Sequence, residues 1–397
     1  MNHSNFSSDN LTELDLADVL ERLNNDKVLV LLPVIILVIL MMIAGIVGNI
    51  LVCIVYIFKM KRAPSHYFIL YLAILDLVSC CIGMPSELGD LLQPLTFPSA
   101  DACRFLRFVL SFTVISSSMI LICVAFDRYY KICKPLKSFP ISKVQKLCLF
   151  SFAFGAAFSW PALVIYGIKI TPTTVPGLDG KECSISDKMK GKPYPLIYYA
   201  TLIGAFVITF MIFVSLYVKI GREINRRRTM FVGNRLSPEK IKSLVSEEES
   251  TTFSDDDSKQ YNRARKSASF KQIKEHIIYY FRSNSEPENS ESNNGTSSTD
   301  GTVKRRRNST RRYLRTTYIF LAVFIAFLIS FVPYLVVNIL RFSKVAFTSM
   351  NSGPEEVVYN LCVRSYFISN FINPIIYSLL NKTFRKECRR LCRKCRI

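Results

Sequence analysis

The sequence predicts an all-α membrane protein, built as a seven-transmembrane helix bundle with a short amphipathic eighth helix. Half of the 397 residues are hydrophobic, and most of these residues are gathered into seven long apolar runs. The runs begin near Val28, Tyr67, Cys103, Leu147, Tyr194, Tyr318 and Val357. A helix rises ~1.5 Å per residue, so about 20 apolar residues cross the hydrocarbon core of a bilayer. Each run must be helical, because unpaired backbone groups are too costly in lipid.

These runs divide the chain into five predicted regions. Residues 1–27 form an extracellular N-terminal segment, and residues 28–220 hold the first five spans. Residues 221–312 form a third cytoplasmic loop, and residues 313–380 hold the last two spans. Residues 381–397 form the amphipathic helix and a cytoplasmic tail.

Charge and sugar acceptors predict the orientation. Basic clusters follow the first, third, fifth and seventh runs, at residues 59–62, 131–137, 226–228 and 386–396. Short basic loops stay in the cytoplasm. The acidic N-terminal segment instead carries three N-x-S/T glycosylation acceptors, Asn2, Asn5 and Asn10, which need luminal exposure. We therefore expect a multi-pass protein of the plasma membrane, with its N-terminus outside and its C-terminus in the cytoplasm.

The net charge of +21 could suggest a nucleic-acid partner. The excess cations, however, belong to the predicted cytoplasmic loops, where they meet anionic lipid. We expect membrane lipid, and no nucleic acid, as their partner.

The long loop is predicted to be disordered. It combines acidic runs with Ser-, Asn- and Thr-rich tracts, and so little apolar area does not offset the entropy of ordering. Basic residues precede Ser267 and Ser309, where phosphorylation would add negative charge beside a basic patch. The alternative is an unmodified solvated tether.

Polar motifs lie within the spans, one set in each of several runs. They are Asp76 in the second run, Asp127-Arg128-Tyr129 at the end of the third, Phe327 and Phe331-Val332-Pro333 in the sixth, and Asn373-Pro374-Ile375-Ile376-Tyr377 in the seventh. Ionisable residues inside a membrane are costly and mark functional sites. Proline removes a backbone hydrogen bond and loosens a helix. A membrane-boundary role for Asp127 and Arg128 alone would leave the other motifs unexplained.

This ordered set resembles the rhodopsin-like (class A) G-protein-coupled receptors, of the neuropeptide-receptor type. The resemblance covers everything except the N-terminus and the long loop. It implies that Asp127 holds Arg128 in the inactive state, and that Arg128 later faces a heterotrimeric G protein. The remaining residues of the implied activation switch are Tyr129, Tyr217, Phe327, Phe331, Pro333, Asn373, Pro374 and Tyr377. Arrestin and receptor kinases are implied as further partners.

The resemblance also implies an allosteric sodium ion, with no other cofactor or metal. Its ligands would be Asp76, Ser117, Ser369 and Asn373, and a carboxylate with neutral oxygens suits a hard cation. Some positions depart from the family pattern. Phe331 stands where a tryptophan is more usual, Thr209 replaces a proline, and Gly155 replaces a tryptophan.

The cysteines fall into two implied groups. Cys103 and Cys183 match the family's disulfide, which requires an oxidising compartment. The second group follows the seventh span and offers juxtamembrane palmitoylation sites, with free cytosolic thiols as the alternative. Its members are Cys388, Cys392 and Cys395.

The ligand class follows less directly. Leu110 occupies the position of the aminergic aspartate, and Phe367 that of the opsin lysine, so both ligand types are disfavoured. Charged and polar residues expected near the outer mouth are Glu87, Arg107, Tyr334, Asn338, Arg341 and Arg364. A site with both signs of charge suits a peptide, since arginine grips planar anions. A lipid or small acid remains an alternative, and the charges could instead pair with one another or with Asp90, Glu355 and Glu356.

Other protein classes fit less well. An enzyme needs a nucleophile, a base and a stabilising group within reach of one another, and the three histidines lie beside no plausible nucleophile. A membrane transporter is the stronger rival, but transporters often contain repeated halves, and no internal repeat is evident.

Overall fold

The computed structural model describes residues 13–60, 62–134, 137, 139–233, 298–342 and 353–394. One compact unit comprises Met1–Glu223 and Thr310–Ile397, and it contains the bundle. A second unit comprises Ile224–Ser309. Its described parts are helical continuations of the fifth and sixth spans.

Seven helical spans follow one another along the chain. The first is Glu13–Phe58, the second Pro64–Leu92, the third Ala100–Cys133 and the fourth Ile141–Ile165, which is interrupted between Ser159 and Ala162. The fifth is Tyr194–Gly233 and the sixth Ser298–Phe342. The seventh joins Gly353–Val363 to Ile368–Leu380 through a 3-10 turn at Ser365–Phe367. A terminal helix, Lys382–Lys394, confirms the predicted eighth helix.

Six of these helices are long and apolar enough to cross a membrane. Large apolar side chains such as Ile208, Ile329 and Leu379 point outward and are more than 60% exposed. Others, such as Phe68, Ile120 and Phe213, are fully buried between the spans. A helix that is apolar on every side is typical of a membrane span, so the chain is a multi-pass membrane protein.

Helix extends into both ends of the range 221–312 that was predicted to be a disordered loop. The fifth helix continues to Gly233, and the sixth begins at Ser298. Once a helix is nucleated, each added residue costs little, and arginine and lysine favour the helical state. Residues 234–297, which include Ser267, lie outside the described part of the chain.

The second span contains a π-helical turn at Ser79–Gly83. Such a turn shifts the phase of the helix and often accompanies a functional site. Gly83 packs closely on the third span, because a Cβ atom there would lie 2.8 Å from Leu110 Cδ2. Beyond this turn, Glu87 and Asp90 both contact Arg107 of the third span.

A β-hairpin connects the fourth and fifth spans and was not predicted. Strand β1, Tyr166–Pro172, pairs antiparallel with β2, Asp179–Ile185, from Tyr166↔Ile185 to Pro172↔Asp179. A short 3-10 turn, Asp187–Met189, follows. The predicted disulfide between Cys103 and Cys183 is confirmed and ties β2 to the third span. We call this end of the bundle the disulfide end.

The loop between the second and third spans is held on two sides. Its Phe97 N donates to Lys181 O at 2.9 Å, and Lys181 N donates to Leu95 O at 2.6 Å, so the loop follows β2. Asn24 of the first helix donates to Leu92 O at 3.1 Å and accepts from Leu95 N at 3.1 Å. The helix therefore extends beyond its predicted start at Val28 and braces this loop.

The terminal helix is fixed at the other end of the bundle. Asn381 Oδ1 accepts from the backbone of Thr383 at 3.1 Å and Phe384 at 3.2 Å, which caps the helix. Phe384 is fully buried and stacks on Tyr56, with ring centroids 5.9 Å apart. We call this end, which also contains Asp127 and Arg128, the Arg128 end.

Candidate functional site

At the Arg128 end, two opposite charges are buried side by side. Asp127 and Arg128 are 0% and 1% exposed and form an ion pair. Lys131 Nζ lies 2.9 Å from Asp127 Oδ2 and supplies a second cation. Buried charges persist only when they are paired, so Asp127 restrains Arg128 from its own helix.

The sixth span covers Arg128. Its Phe320 is 1% exposed, and the Arg128 guanidinium carbon lies 5.2 Å from the centroid of that ring. This is cation–π geometry. Nearby, Phe213 of the fifth span and Phe324 of the sixth stack with centroids 3.5 Å apart and planes at 5°. The third, fifth and sixth spans are thus closed over Arg128 by aromatic contacts.

Four polar atoms at this end are buried without hydrogen-bond partners in the described part of the chain: Asp127 Oδ1, Arg128 Nε, the Tyr217 hydroxyl and the Tyr377 hydroxyl. A buried polar atom left unpaired costs roughly 1–3 kcal/mol. Tyr129 instead packs beside Tyr130, with centroids 5.6 Å apart. The arrangement keeps Arg128, Tyr217 and Tyr377 able to form new hydrogen bonds if the helices move.

The predicted switch residues of the sixth span lie in an aromatic cluster. Phe327 and Phe331 have ring centroids 4.6 Å apart, and Phe331 stacks on Phe206 of the fifth span at 6.1 Å. Pro333 lies inside the same helix, where it removes a backbone hydrogen bond. Phe331 therefore packs between the fifth and sixth spans beside a weak point of the helix.

In the middle of the bundle, Asp76 is 2% exposed and accepts from Asn373 Nδ2 at 2.8 Å. The Ser369 hydroxyl instead donates to Tyr366 O at 2.7 Å. Ser117 makes no hydrogen bond within the described residues. Of the predicted sodium ligands, only Asp76 and Asn373 are joined directly.

The donor set fits a sodium ion. Asp76 is a buried carboxylate that forms no ion pair within the described residues, and such a charge requires compensation. Ser117 of the third span and Ser369 and Asn373 of the seventh carry hydroxyl and amide oxygens, and oxygen ligands are those that a hard cation prefers. No cluster of three or more His, Cys, Asp or Glu residues that could hold a metal ion occurs among the described residues.

At the disulfide end, four charged side chains form a cluster that we call the ion quartet: Glu87, Asp90, Arg107 and Arg364. Arg107 pairs with Glu87, and its Nη2 lies 3.1 Å from Asp90 Oδ2. Arg364 Nη2 lies 3.0 Å from Glu87 Oε2 and 3.2 Å from Asp90 Oδ2. Of the two alternatives for these residues, the structure therefore shows, among the described residues, the pairing with one another and with Asp90, without Glu355 or Glu356, and the quartet has two acids and two arginines.

The quartet has further polar contacts. Arg107 Nη2 donates to Cys183 O at 3.3 Å, and Arg364 Nη1 donates to Asn360 Oδ1 at 2.5 Å. Arg364 Nε is buried without an acceptor in the described part of the chain. The quartet therefore links the second, third and seventh spans to β2 and leaves one donor unused.

A narrow cavity adjoins the quartet. It is lined by Ser86, Glu87, Asp90, Phe97, Leu106, Arg107, Leu110 and Cys183. Leu110 is 7% exposed and gives the cavity one aliphatic wall. A cationic amine would find no carboxylate at that position.

Tyrosines line the disulfide end beyond the cavity. The Tyr166 and Tyr199 hydroxyls are 2.7 Å apart, and Arg107 lies 5.8 Å from the Tyr166 ring centroid. Burial raises the pKa of the Tyr166 hydroxyl, which keeps it protonated. Tyr334 lies edge-on to Tyr366 at 5.7 Å. Tyr166 and Tyr199 were missed because the hairpin that positions Tyr166 has no clear sequence signal.

The other predicted pocket residues lie outside the quartet. Asn338 donates to Tyr334 O of its own helix at 2.7 Å. Arg341 bonds the Tyr359 hydroxyl and lies 4.8 Å from that ring centroid. It thereby bridges the sixth and seventh spans.

The predicted modification sites are only partly described. Cys388 is half-buried and packs against the core. The Cys392 side chain, Cys395 and the three acceptors Asn2, Asn5 and Asn10 lie outside the described part of the chain.

Comparison with known proteins gives a family and several distant relatives. The profile of the 7 transmembrane receptor (rhodopsin family) matches residues 48–377. Neuromedin-U receptor 1 of Mus musculus is 24% identical over 232 residues, which are 57% of this chain and 54% of that receptor. Neuromedin-U receptor 2 of Rattus norvegicus is 26% identical over 208 residues, 50% of this chain and 52% of that receptor. The chain spans about half the length of these curated relatives.

A third relative matches over a longer stretch. The alpha-2 adrenergic receptor of Carassius auratus is 22% identical over 398 aligned residues, which cover 90% of this chain and 85% of that receptor. The family profile extends from the end of the first span to Tyr377, and so includes Asp76, Arg128 and the disulfide. The chain belongs to the rhodopsin family of seven-transmembrane receptors.

Proposed function

We propose that this receptor binds an extracellular ligand, a neuropeptide, at the disulfide end and activates a heterotrimeric G protein at the Arg128 end. One observation carries the proposal: the ion quartet and the covered Asp127–Arg128 pair both involve the third span. Arg107 and Arg128 lie about 30 Å apart along it, at ~1.5 Å per residue. A change at one cluster can therefore reach the other through a single packed helix.

The chemistry of the disulfide end supports a peptide. The quartet offers both signs of charge, and Arg364 Nε has no acceptor within the described residues. Tyrosines around it suit an amphipathic chain. The names of two relatives refer to neuromedin U, which is consistent with this choice. The adrenergic relative does not guide the ligand class, because Leu110 cannot pair with an amine.

A lipid or small acidic ligand is the second candidate, since the two arginines could hold an anion. Membership of a receptor family leaves the transporter alternative without support. Membership of this family also supports a role as a receptor, and not as an enzyme, for this chain.

The proposed mechanism is a ligand-driven population shift. An agonist that prefers the open state moves the equilibrium by its difference in affinity for the two states. The sixth span then swings about Pro333 and uncovers Arg128. Arg128 Nε and the hydroxyls of Tyr217 and Tyr377 gain the partners that they lack in the closed bundle.

A sodium ion would act in the closed state. Asp76, Ser117, Ser369 and Asn373 would hold it, and when bound it would supply the positive charge that Asp76 lacks. The orientation follows from the same proposal: the disulfide end faces the exterior at the plasma membrane. The proposal also includes two modifications: glycans on the N-terminal segment and acylation of the terminal cysteines. It includes receptor kinases and arrestin as further partners.

The proposal is tested by expressing the receptor in cells with calcium and cyclic-AMP reporters and applying fractionated tissue peptide extracts. Each active fraction is retested after protease digestion and on an Arg128→Ala variant. We expect the response to vanish under both treatments. A response that survives protease would replace the peptide by a lipid or small acid. One that survives Arg128→Ala at equal surface expression would contradict the coupling role of this end.

A further inference from the structure

The restraint on the sixth span at the Arg128 end has unusual chemistry. Residues 301–342 contain no aspartate or glutamate. Arg128 therefore has no carboxylate from residues 301–342 with which to pair, and its acidic partner is Asp127 on its own helix. Whatever holds the sixth span against the third must act through other groups.

The first such group is Phe320. Both Phe320 and Arg128 are 1% exposed, and the 5.2 Å distance from guanidinium to ring lies within cation–π range. Desolvation strengthens this attraction, because no water competes for the cation. The contact joins the sixth span to the third and exists only while the sixth span lies over Arg128.

The second group is Arg315, at the same end of the sixth span. Its Nε donates to Leu380 O at 2.8 Å, and Leu380 is the last residue of the seventh span. The last carbonyls of a helix lack partners within the helix and carry its negative dipole end. An arginine from a neighbouring helix satisfies both needs, so this contact joins the sixth span to the seventh.

The carbonyls next to Leu380 are already taken. Arg385 of the terminal helix donates from Nη1 to Ser378 O at 3.1 Å and also bonds Leu379 O. That helix is fixed by buried Phe384 against Tyr56. The carbonyls of Ser378 and Leu379 are therefore bound by Arg385 of the fixed terminal helix, and the carbonyl of Leu380 is bound by Arg315 of the sixth span, which would have to move.

We propose that Phe320 over Arg128 and Arg315 on the Leu380 carbonyl form a two-point latch. The latch holds the sixth span closed and sets the activity of the receptor without ligand. The inference rests on the proposed coupling function for its signalling consequence, but the closure itself is a property of the bundle. Each contact must break when the sixth span leaves the third and seventh.

The test uses Arg315→Ala and Phe320→Leu, each of which removes one of the two points of the latch. Loss of a charge-assisted hydrogen bond shifts a two-state equilibrium by about tenfold. We therefore expect a comparable rise in ligand-independent nucleotide exchange for Arg315→Ala. We expect a smaller rise for Phe320→Leu, which keeps apolar volume but removes the ring face.

Two controls are matched to these changes. Lys146→Ala removes a positive charge from an exposed site on the fourth span. Ile319→Val trims a buried apolar side chain next to Phe320. Neither touches the latch, so both should keep the basal activity of the unmodified receptor at equal surface expression.

A second readout separates the latch from G-protein coupling. An environment-sensitive dye on Tyr318→Cys, in a background whose reactive cysteines are replaced, reports the position of the sixth span in purified receptor. A changed dye signal with unchanged nucleotide exchange would support the latch and contradict coupling. If the dye signal and basal exchange of Arg315→Ala and Phe320→Leu both match those of the two controls, the latch is wrong.

Discussion

Gly155 shows how a single residue determines the distance between two helices. A Cβ atom at this position would lie 1.9 Å from Ser116 Oγ and 3.1 Å from Phe112 O. The Ser116 hydroxyl could rotate away, but Ser116 Cβ, also 3.1 Å from that position, and the backbone oxygen of Phe112 cannot move without shifting the third span. The absence of the tryptophan expected from the resemblance thus has a packing reason: the third and fourth spans are too close for any side chain.

Gly155→Ala should therefore destabilise the receptor. Overpacking of this kind costs ~1–3 kcal/mol, and we expect a lower melting temperature for the purified receptor in detergent. Gly204→Ala on the fifth span is the matched control, since a Cβ atom there would meet nothing within 4 Å. Equal melting temperatures for the two variants would show that the helices separate at little cost.

At the scale of elements, the first helix acts as a brace for the disulfide end. Asn24 is 6% exposed, although it follows a stretch of charged residues. It accepts from Leu95 N and from Thr96 Oγ1, the latter at 3.3 Å. The braced loop lies along β2, which the disulfide fixes to the third span. Helix, loop and hairpin are consequently joined by hydrogen bonds into one layer.

Removing the Asn24 amide should loosen this layer locally. In Asn24→Ala, Leu95 N loses its acceptor, so hydrogen exchange at Leu95 and its neighbours should accelerate. Asn25→Ala is the control, because Asn25 is exposed and adjacent. Hydrogen exchange is measured by mass spectrometry on the peptide around Leu95. Equal exchange rates for Asn24→Ala and Asn25→Ala would contradict the bracing role of Asn24.

At the scale of the whole molecule, both ends contain buried ion pairs, but the two ends arrange them differently. The ion quartet balances two acids with two arginines from three spans. The Arg128 end keeps its charges on one helix and closes over them with aromatic rings. The two buried charge clusters are therefore separated along the bundle, one at each end.

The quartet predicts a strong effect of charge reversal. Glu87→Arg should cost roughly 3–5 kcal/mol, because removing one partner leaves a buried charge uncompensated. The double variant Glu87→Arg/Arg107→Glu restores the balance and should recover part of the loss. Arg104→Glu is the control, since its partner Asp101 is 88% exposed and surface pairs contribute little. Surface expression and thermal unfolding are measured for the single variant, the double variant and the control. A double variant that is no more stable than Glu87→Arg would contradict direct pairing of Glu87 with Arg107.

The sequence by itself determined the membrane class, the seven spans and the amphipathic eighth helix, and the family resemblance implied the disulfide that the structure contains. Apolar runs and polar motifs are local along the chain, and the constraint that lipid places on the backbone leaves helices as the outcome. The resemblance also singled out Asp127, Arg128 and Asp76, all three of which are buried in the bundle. The helical bounds were less accurate, because a hydropathy pattern ends at the membrane while the helix continues beyond it.

Only the tertiary structure decided how distant residues meet. Asp90 joins Glu87, Arg107 and Arg364 because a π turn in the second span changes the phase of the helix. Phe320 and Arg315 contact groups on other spans, at Arg128 and at the Leu380 carbonyl. These contacts depend on the distance and rotation of packed helices, which arise from the fit of many side chains at once and leave no local pattern along the chain.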